Sequence, residues 1–584
     1  VTASRLPTYR LSGAQFRSLG GGYGDDSTLS TLRSAQLSKR LLLLRAVHDM
    51  SAGIREWAAW NLDESWAILR EVTERRPDAG RQVLSHPFVD TWATRCLRRL
   101  RAHQSGGRPP PAADLGYLSW LAAAAAARAG MDVRLRAPTR QGQLGLPTVG
   151  LAYDLGTGPA TVICTGTDLT IIGSARTTRV ALPDSPDAPG WCFRRSLTVQ
   201  SPGGPLTVAV EDLDMYRSCF GLPVTDRLAP PDIQRLESLL AGAWQLIVAD
   251  HPGYARTMRE CLGSVVPLVT PDTGSISASA QSTFGTVALS VPADAEGLAL
   301  LLIHETQHMK LSAVLDLVEL VVPGDSGRYH APWRADPRPA GALLQGAYAH
   351  AGVTDFWRVR RQRAHGGPAR RADFEFAYWL EQSRRAAGTL AGSGALTGHG
   401  ELFVGQLIER LDGWRAEPLD EPISTGVADL ATAVAVRWRL ENHRPEPDLV
   451  ARLASAWRTG SPCPPMRQPA VVPGRAAGPA PVEGLAVKLR AGLDDTTGPA
   501  GDLRSAIVAC RNALLADPDS AVGWSDFALA LAGTGDVDAK RGLAERPDLV
   551  RALLLELRRD GHPPAPDALA GWLAGGLPAA SGAR

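Results

Sequence analysis

Lysine is nearly missing from this chain, with four residues among the 62 that are lysine or arginine. That scarcity reads as a compositional bias of the genome, and it leaves basic charge almost wholly on arginine. Excess charge of either sign is missing too. The formal net charge is +2 over 584 residues, so no broad nucleic-acid or membrane field is implied and neither partner is expected. Cysteine is sparse. Cys96, Cys164, Cys192, Cys219, Cys261, Cys463 and Cys510 are odd in number and never spaced C-x-x-C, as expected of reduced, structural thiols in a cytoplasmic protein. No basic segment followed by an apolar core opens the sequence, so no secretory signal is expected. No membrane span is expected either. The most apolar stretch, Leu298 to Val322, is interrupted by His304, Glu305, His308 and Lys310, which suits a core helix.

That stretch organises the rest. It holds His304-Glu305-Thr306-Gln307-His308, an H-E-x-x-H pattern. On a helix, positions i and i+4 share a face one turn apart, so two imidazoles can hold one metal ion from one side. Glu305 sits next to that face, placed to act on a water or to brace the site. Pro292 suits a first helical turn, Pro323-Gly324 ends the apolar run, and the strand-like Phe284 to Val291 precedes it. The expected fold is α+β and mostly helical, with a zincin-like core in which a strand leads into the motif helix.

Along the chain, residues 1–145 read as a helical region with apolar spacing of three and four, ending in a helix over Leu118 to Ala129. The Gly-rich Leu19 to Asp25 lacks the G-K-[ST] ending of a phosphate loop and reads as a flexible turn. Residues 146–227 are β-rich, with a hairpin expected over Ser196 to Leu213 around a Pro-Gly-Gly connection. Residues 228–458 read as the helical metal-site domain, with helices after the motif near 340–360, 372–390, 401–412 and 425–458. A Pro/Gly-rich linker is expected over 459–484, and a helical, tetratricopeptide-like tail over 485–584 that packs on the body.

Two histidines do not complete a catalytic metal site. Asp316 and Glu319 share the helix, but at 1.5 Å per residue they lie roughly 12 and 16 Å beyond His308 along the axis. The third ligand must therefore come from another segment. His350, in the helix-like GALLQGAYAHAGVTDFWR, is favoured over His330, in a Pro-rich loop. Gly346 and Ala347, one turn before His350, would permit close approach. The loop Arg328 to Pro339 carries Arg328, Arg334 and Arg338 among three prolines. Prolines stiffen a loop, and a planar guanidinium grips a carboxylate bidentately.

Several of these pieces resemble the 2-oxoglutarate-dependent, HExxH-type peptide β-hydroxylases of ribosomal-peptide biosynthesis. They are HETQH with KLSAVLDLVEL after it, YHAPWRADPRP, LLQGAYAHAGVTDFW, SISASAQSTFGTVALSVP, and the N-terminal LSGAQFRSLGGGYGDDSTLSTLRSAQLSKRLLLLRAV. The resemblance spans roughly residues 10–450, is strongest over 275–360, and leaves out the tail. It implies Fe(II), 2-oxoglutarate and O2 as reactants and hydroxylation of a β-carbon in a precursor peptide. It further implies iron held by His304, His308 and His350, Arg334 with Arg338 as understudy on the distal carboxylate of 2-oxoglutarate, and Glu305 orienting a ligand or water. Ser277 and Ser279 would line the site. Such a three-histidine set departs from the usual two-His-one-carboxylate triad, and a helical catalytic region departs from the double-stranded β-helix of most 2-oxoglutarate oxygenases. The motif by itself points to a zinc metallopeptidase, where H-E-x-x-H is best known, with Glu305 as general base. A non-catalytic peptide-binding scaffold is the remaining alternative.

Overall fold

The computed structural model describes residues 8–51, 54–108, 112–182, 186–272, 274–466, 503–561 and 563–578. It is an α+β fold, mostly helical, with three small sheets among the described residues. The chain divides into two compact units, Val1–Val318 and Glu319–Arg584. The division falls inside the 228–458 segment expected to be one domain. It falls there because the motif helix packs on the helix Pro230–Asp250 and the strand Thr286–Leu289, all within the first unit.

In the first unit, the helices Asp26–Ser51, Leu62–Arg75, Phe88–Gln104 and Ala112–Ala129 surround one core. The alanines from Ala122 to Ala126 are fully buried. Their small side chains let the helix Leu62–Arg75 and the strand Val133–Pro138 pack against them. Strand structure begins at Val133, ahead of the expected 146, in an antiparallel four-stranded sheet that continues through Pro159–Thr165, Asp168–Ile172 and Thr177–Ala181. The expected hairpin forms, pairing Ser196–Val199 with Leu206–Val210.

Those two strands do not close off a separate β segment at 227. They belong to a mixed five-stranded sheet with Ser264–Pro267, Thr286–Leu289 and Ser277–Ala278. Leu206–Val210, Ser264–Pro267 and Thr286–Leu289 run parallel, which a crossover through the helices Pro230–Asp250 and Pro252–Cys261 makes possible. Ser277–Ala278 adds antiparallel at one edge.

The motif helix spans Ala295–Leu315. It starts later than Pro292 because Asp294 is its N-cap, accepting from the Gly297 N–H at 2.7 Å. It stops well before Pro323 because Asp316 turns to other partners, accepting from Gln36 Nε2 (2.9 Å), Lys39 Nζ (2.9 Å) and Gln281 Nε2 (3.2 Å). Gly242 is required where the helix Pro230–Asp250 passes the start of the motif helix: a β-carbon there would lie 2.9 Å from Ala295 Cβ.

The second unit holds the helices Ala340–Arg363, Gly367–Ala391, Gly398–Arg415, Glu421–Asn442 and Pro447–Arg458. The tail helices from Leu503 to Ala574 share a core with them, in which Val436, Leu440 and Leu453 meet Trp524, Phe527, Leu553 and Leu569. Of the expected linker, residues 467–484 lie outside the described residues. All seven cysteines are free thiols. No helix among the described residues is long and apolar enough to cross a membrane.

Candidate metal centre

The motif helix turns His304 and His308 toward each other. Their Nε2 atoms are 3.2 Å apart, with the rings nearly perpendicular at 80°. Two nitrogens each ~2.1 Å from one ion, about 100° apart, are separated by ~3.2 Å, so the pair has the spacing of two ligands of a single divalent ion. Burial, and then the neighbouring His308, lower the His304 pKa to about 4. His304 is therefore neutral near pH 7, the form whose lone pair can ligate.

Glu305 is buried beside them. Its Oε1 accepts from Ser277 Oγ at 2.7 Å and lies 3.9 Å from His304 Nε2. Its Oε2 is buried with no hydrogen-bond partner among the described residues. The antiparallel edge strand Ser277–Ala278 thus reaches the motif helix through one side chain, and Ser279 makes no such bond. A carboxylate with one oxygen anchored and one unmatched is a plausible brace or base beside a cation.

The remainder of the motif helix is held by polar contacts the sequence did not announce. Lys310 is 1% exposed and donates from Nζ to the Gly22 carbonyl at 2.6 Å. This ties down the Gly-rich stretch expected to be a flexible turn. Lys39 bridges Asp90 (3.0 Å) and Asp316 (2.9 Å). Although burial opposes its charge, these carboxylates raise its pKa. Asp316 is thereby committed to the helix terminus.

In the second unit, His350 lies on the helix Ala340–Arg363 between two indoles. Trp333 stacks on it at 4.2 Å and 18°, and Trp379 at 4.6 Å and 29°. Its Nδ1 is 2.8 Å from the Gly346 carbonyl. A carbonyl only accepts, so Nδ1 carries the proton and the neutral ring keeps its lone pair on Nε2, the tautomer usual for a metal-ligating histidine. Gly346 has a different role from the close approach to a metal expected of it. A β-carbon there would lie 2.2 Å from the Trp333 indole, so the missing side chain admits the tryptophan that stacks on His350.

His330 has another environment. Its ring lies 4.7 Å from Trp438 and its Nε2 is buried without a partner among the described residues. Burial first, then Arg439, Arg385 and His443, bring its pKa down to about 3. A neighbourhood this rich in cationic groups is unfavourable to a metal ion.

The Arg loop is folded on itself. Tyr329 and Arg338 pair through their backbones (2.8 and 2.9 Å), and both predicted clamp residues hold one carboxylate. Arg334 Nε and Nη2 each lie 2.8 Å from Asp336 Oδ1, and Arg338 Nη1 lies 2.9 Å from Asp336 Oδ2. Asp336 is held below its usual pKa range by Arg338 and Arg334 against the opposing effect of burial. Two guanidiniums against one carboxylate leave one positive charge uncompensated in the cluster.

Among the described residues no group of three or more His, Cys, Asp or Glu is arranged to hold a metal ion; the motif supplies two nitrogens at ligand spacing. Comparison with known protein families and with curated proteins finds no match to the chain.

Proposed function

We propose that the chain is a metal-dependent peptide hydroxylase using Fe(II), 2-oxoglutarate and O2 to hydroxylate a β-carbon of a ribosomally made precursor peptide. The observation that carries a metal is the 3.2 Å separation of the His304 and His308 Nε2 atoms, beside a buried carboxylate. The choice of an oxygenase rests on the resemblance of the motif helix, the Arg loop and the His350 segment. The proposed ligands are His304, His308 and His350, the last supported by its Nδ1 bond to Gly346. Bound iron would supply oxidation of the C–H bond at the expense of O2 and 2-oxoglutarate.

The protein's own contribution is positional. Ser277 fixes the Glu305 carboxylate, which orients a neighbouring ligand or water. Arg334, with Arg338, holds the distal carboxylate of 2-oxoglutarate, exchanging part of its contact with Asp336 for the cosubstrate. The strand Thr286–Leu289 ahead of the motif helix, with its antiparallel edge Ser277–Ala278, is read as a zincin-like core.

One observation favours a second reading, a zinc peptidase. The unpartnered Glu305 Oε2 is what a general base on water requires. Anaerobic loading with Fe(II), followed by assay of succinate release and of a 16 Da mass gain on a co-encoded peptide, tests the first reading. Succinate release that depends on Fe(II) supports it. Peptide cleavage by the zinc-loaded protein, with no succinate from the iron-loaded one, replaces it with the second.

A further inference from the structure

A cavity of about 570 Å³ opens in the first unit, and no residue of the motif helix lines it. Its walls gather arginines from widely separated parts of the sequence: Arg33, Arg40, Arg128, Arg194 and Arg259. Two of them have carboxylate partners. Arg33 pairs with Glu260 at 3.3 Å, and Arg194 Nε donates to Glu211 at 2.8 Å. Among the described residues the other three donate hydrogen bonds to neutral oxygens. Arg40 bonds the Ser85 and Phe284 carbonyls at 2.8 and 2.5 Å, Arg128 bonds Thr148 Oγ1 at 2.8 Å, and Arg259 bonds the Gly203 carbonyl.

Unmatched polar atoms collect on the same walls. Arg40 is 3% exposed, His86 2% and Ser264 1%, and all three line the cavity. Arg40 Nε and Ser264 Oγ are buried with no hydrogen-bond partner among the described residues, while His86 Nδ1 lies 4.0 Å from the Asp214 carboxylate. Buried polar groups are ordinarily satisfied, so two unsatisfied ones on one cavity point to a missing polar occupant. The site also carries an electrostatic cost. Burial lowers the Arg40 pKa to about 10, against the opposing charge of Asp90.

We propose that this cavity binds a small ligand bearing two or three clustered negative charges, as carboxylates or phosphates. The volume is that of a small-molecule site, typically ~300–1,000 Å³. Arg128 and Arg259, with no carboxylate partner among the described residues, together with Arg40 match such a charge, and planar forks grip either oxyanion. Leu262 and Phe284 add an apolar wall for a carbon framework.

The test is calorimetric titration of the full chain at low salt with three probes: inorganic pyrophosphate, citrate and a tetraglutamate peptide. At least one is expected to bind saturably with a dissociation constant below ~1 mM. That constant is expected to rise tenfold or more in both Arg128→Gln and Arg259→Gln, and to stay within twofold in Arg70→Gln, an exposed arginine outside the cavity. Arg128 and Arg259 are exposed at the cavity surface, so folding should survive either change. Thermal unfolding checks each variant, and either folded variant alone decides the matter. The probe that binds distinguishes a phosphate, a free polycarboxylate and an acidic peptide segment as the source of the charge. Saturable binding by none of the three overturns the proposal. So does binding that the two cavity variants leave unchanged, or that Arg70→Gln weakens equally.

Discussion

His350 and His330 sit in the same unit, each against tryptophan, yet their surroundings prepare them for opposite tasks. His350 is clamped between Trp333 and Trp379, with Nδ1 committed to the Gly346 carbonyl. That fixes both the plane of the ring and the nitrogen that keeps the lone pair. His330 rests on one indole, with Arg439, Arg385 and His443 around it and an Nε2 that has no hydrogen-bond partner among the described residues. A histidine becomes a good ligand when a second group settles its tautomer and nearby charge does not repel a cation. By that standard His350 is the better prepared ligand of the two.

The largest expected effect comes from the motif pair. His304→Ala or His308→Ala should weaken divalent-metal affinity by more than the ~10–100-fold that loss of an outer-shell partner costs, measured by anaerobic metal titration. His350→Ala should fall in the same class, whereas His330→Ala should leave metal affinity unchanged. The opposite ranking would break the distinction drawn between the two histidines.

Next in size is the Arg loop. Arg334→Ala should raise the half-saturating 2-oxoglutarate concentration roughly 30-fold, the equivalent of ~2 kcal/mol for a charge-assisted bond. Asp336→Asn should lower it by releasing both arginines. If both variants lose thermal stability with no change in 2-oxoglutarate dependence, the cluster is structural only.

The smallest effects concern Glu305 and Ser277. Glu305→Gln should retain metal and lose only part of the hydroxylase activity, while a peptidase would lose all turnover. Ser277→Ala removes one bond to the carboxylate and should reduce activity a few-fold, by ~1 kcal/mol. An equal or larger loss than in Glu305→Gln would mean that Ser277 acts other than through that carboxylate.

The parts legible in the sequence were those governed by short-range spacing. The i, i+4 interval brought His304 and His308 together, the Pro-Gly-Gly turn marked the hairpin, and the antiparallel pairing of Ser196–Val199 with Leu206–Val210 followed. The ends of the motif helix were not legible. Asp294 outcompetes Pro292 as the start, and Asp316 ends the helix through donors from Gln36, Lys39 and Gln281. Gln36 and Lys39 are remote in sequence from the motif. The same holds for Lys310 on Gly22 and for the indoles around His350. Asp336, between Arg334 and Arg338, was visible all along: a carboxylate two residues from each arginine is their nearest available partner. The boundary after Val318 lies five residues before Pro323-Gly324, a signal that marks the end of an apolar run without telling a helix end from a division between units.

The most direct measurement is anaerobic titration of the metal-free full chain with Co(II), a spectroscopically visible stand-in for Fe(II), in wild type and His308→Ala. The wild type should bind one equivalent, with a visible band that shifts when 2-oxoglutarate is added, and the variant should show neither band nor shift. One equivalent bound with the same spectrum in His308→Ala, or no binding by the wild type, would contradict a metal centre at His304 and His308.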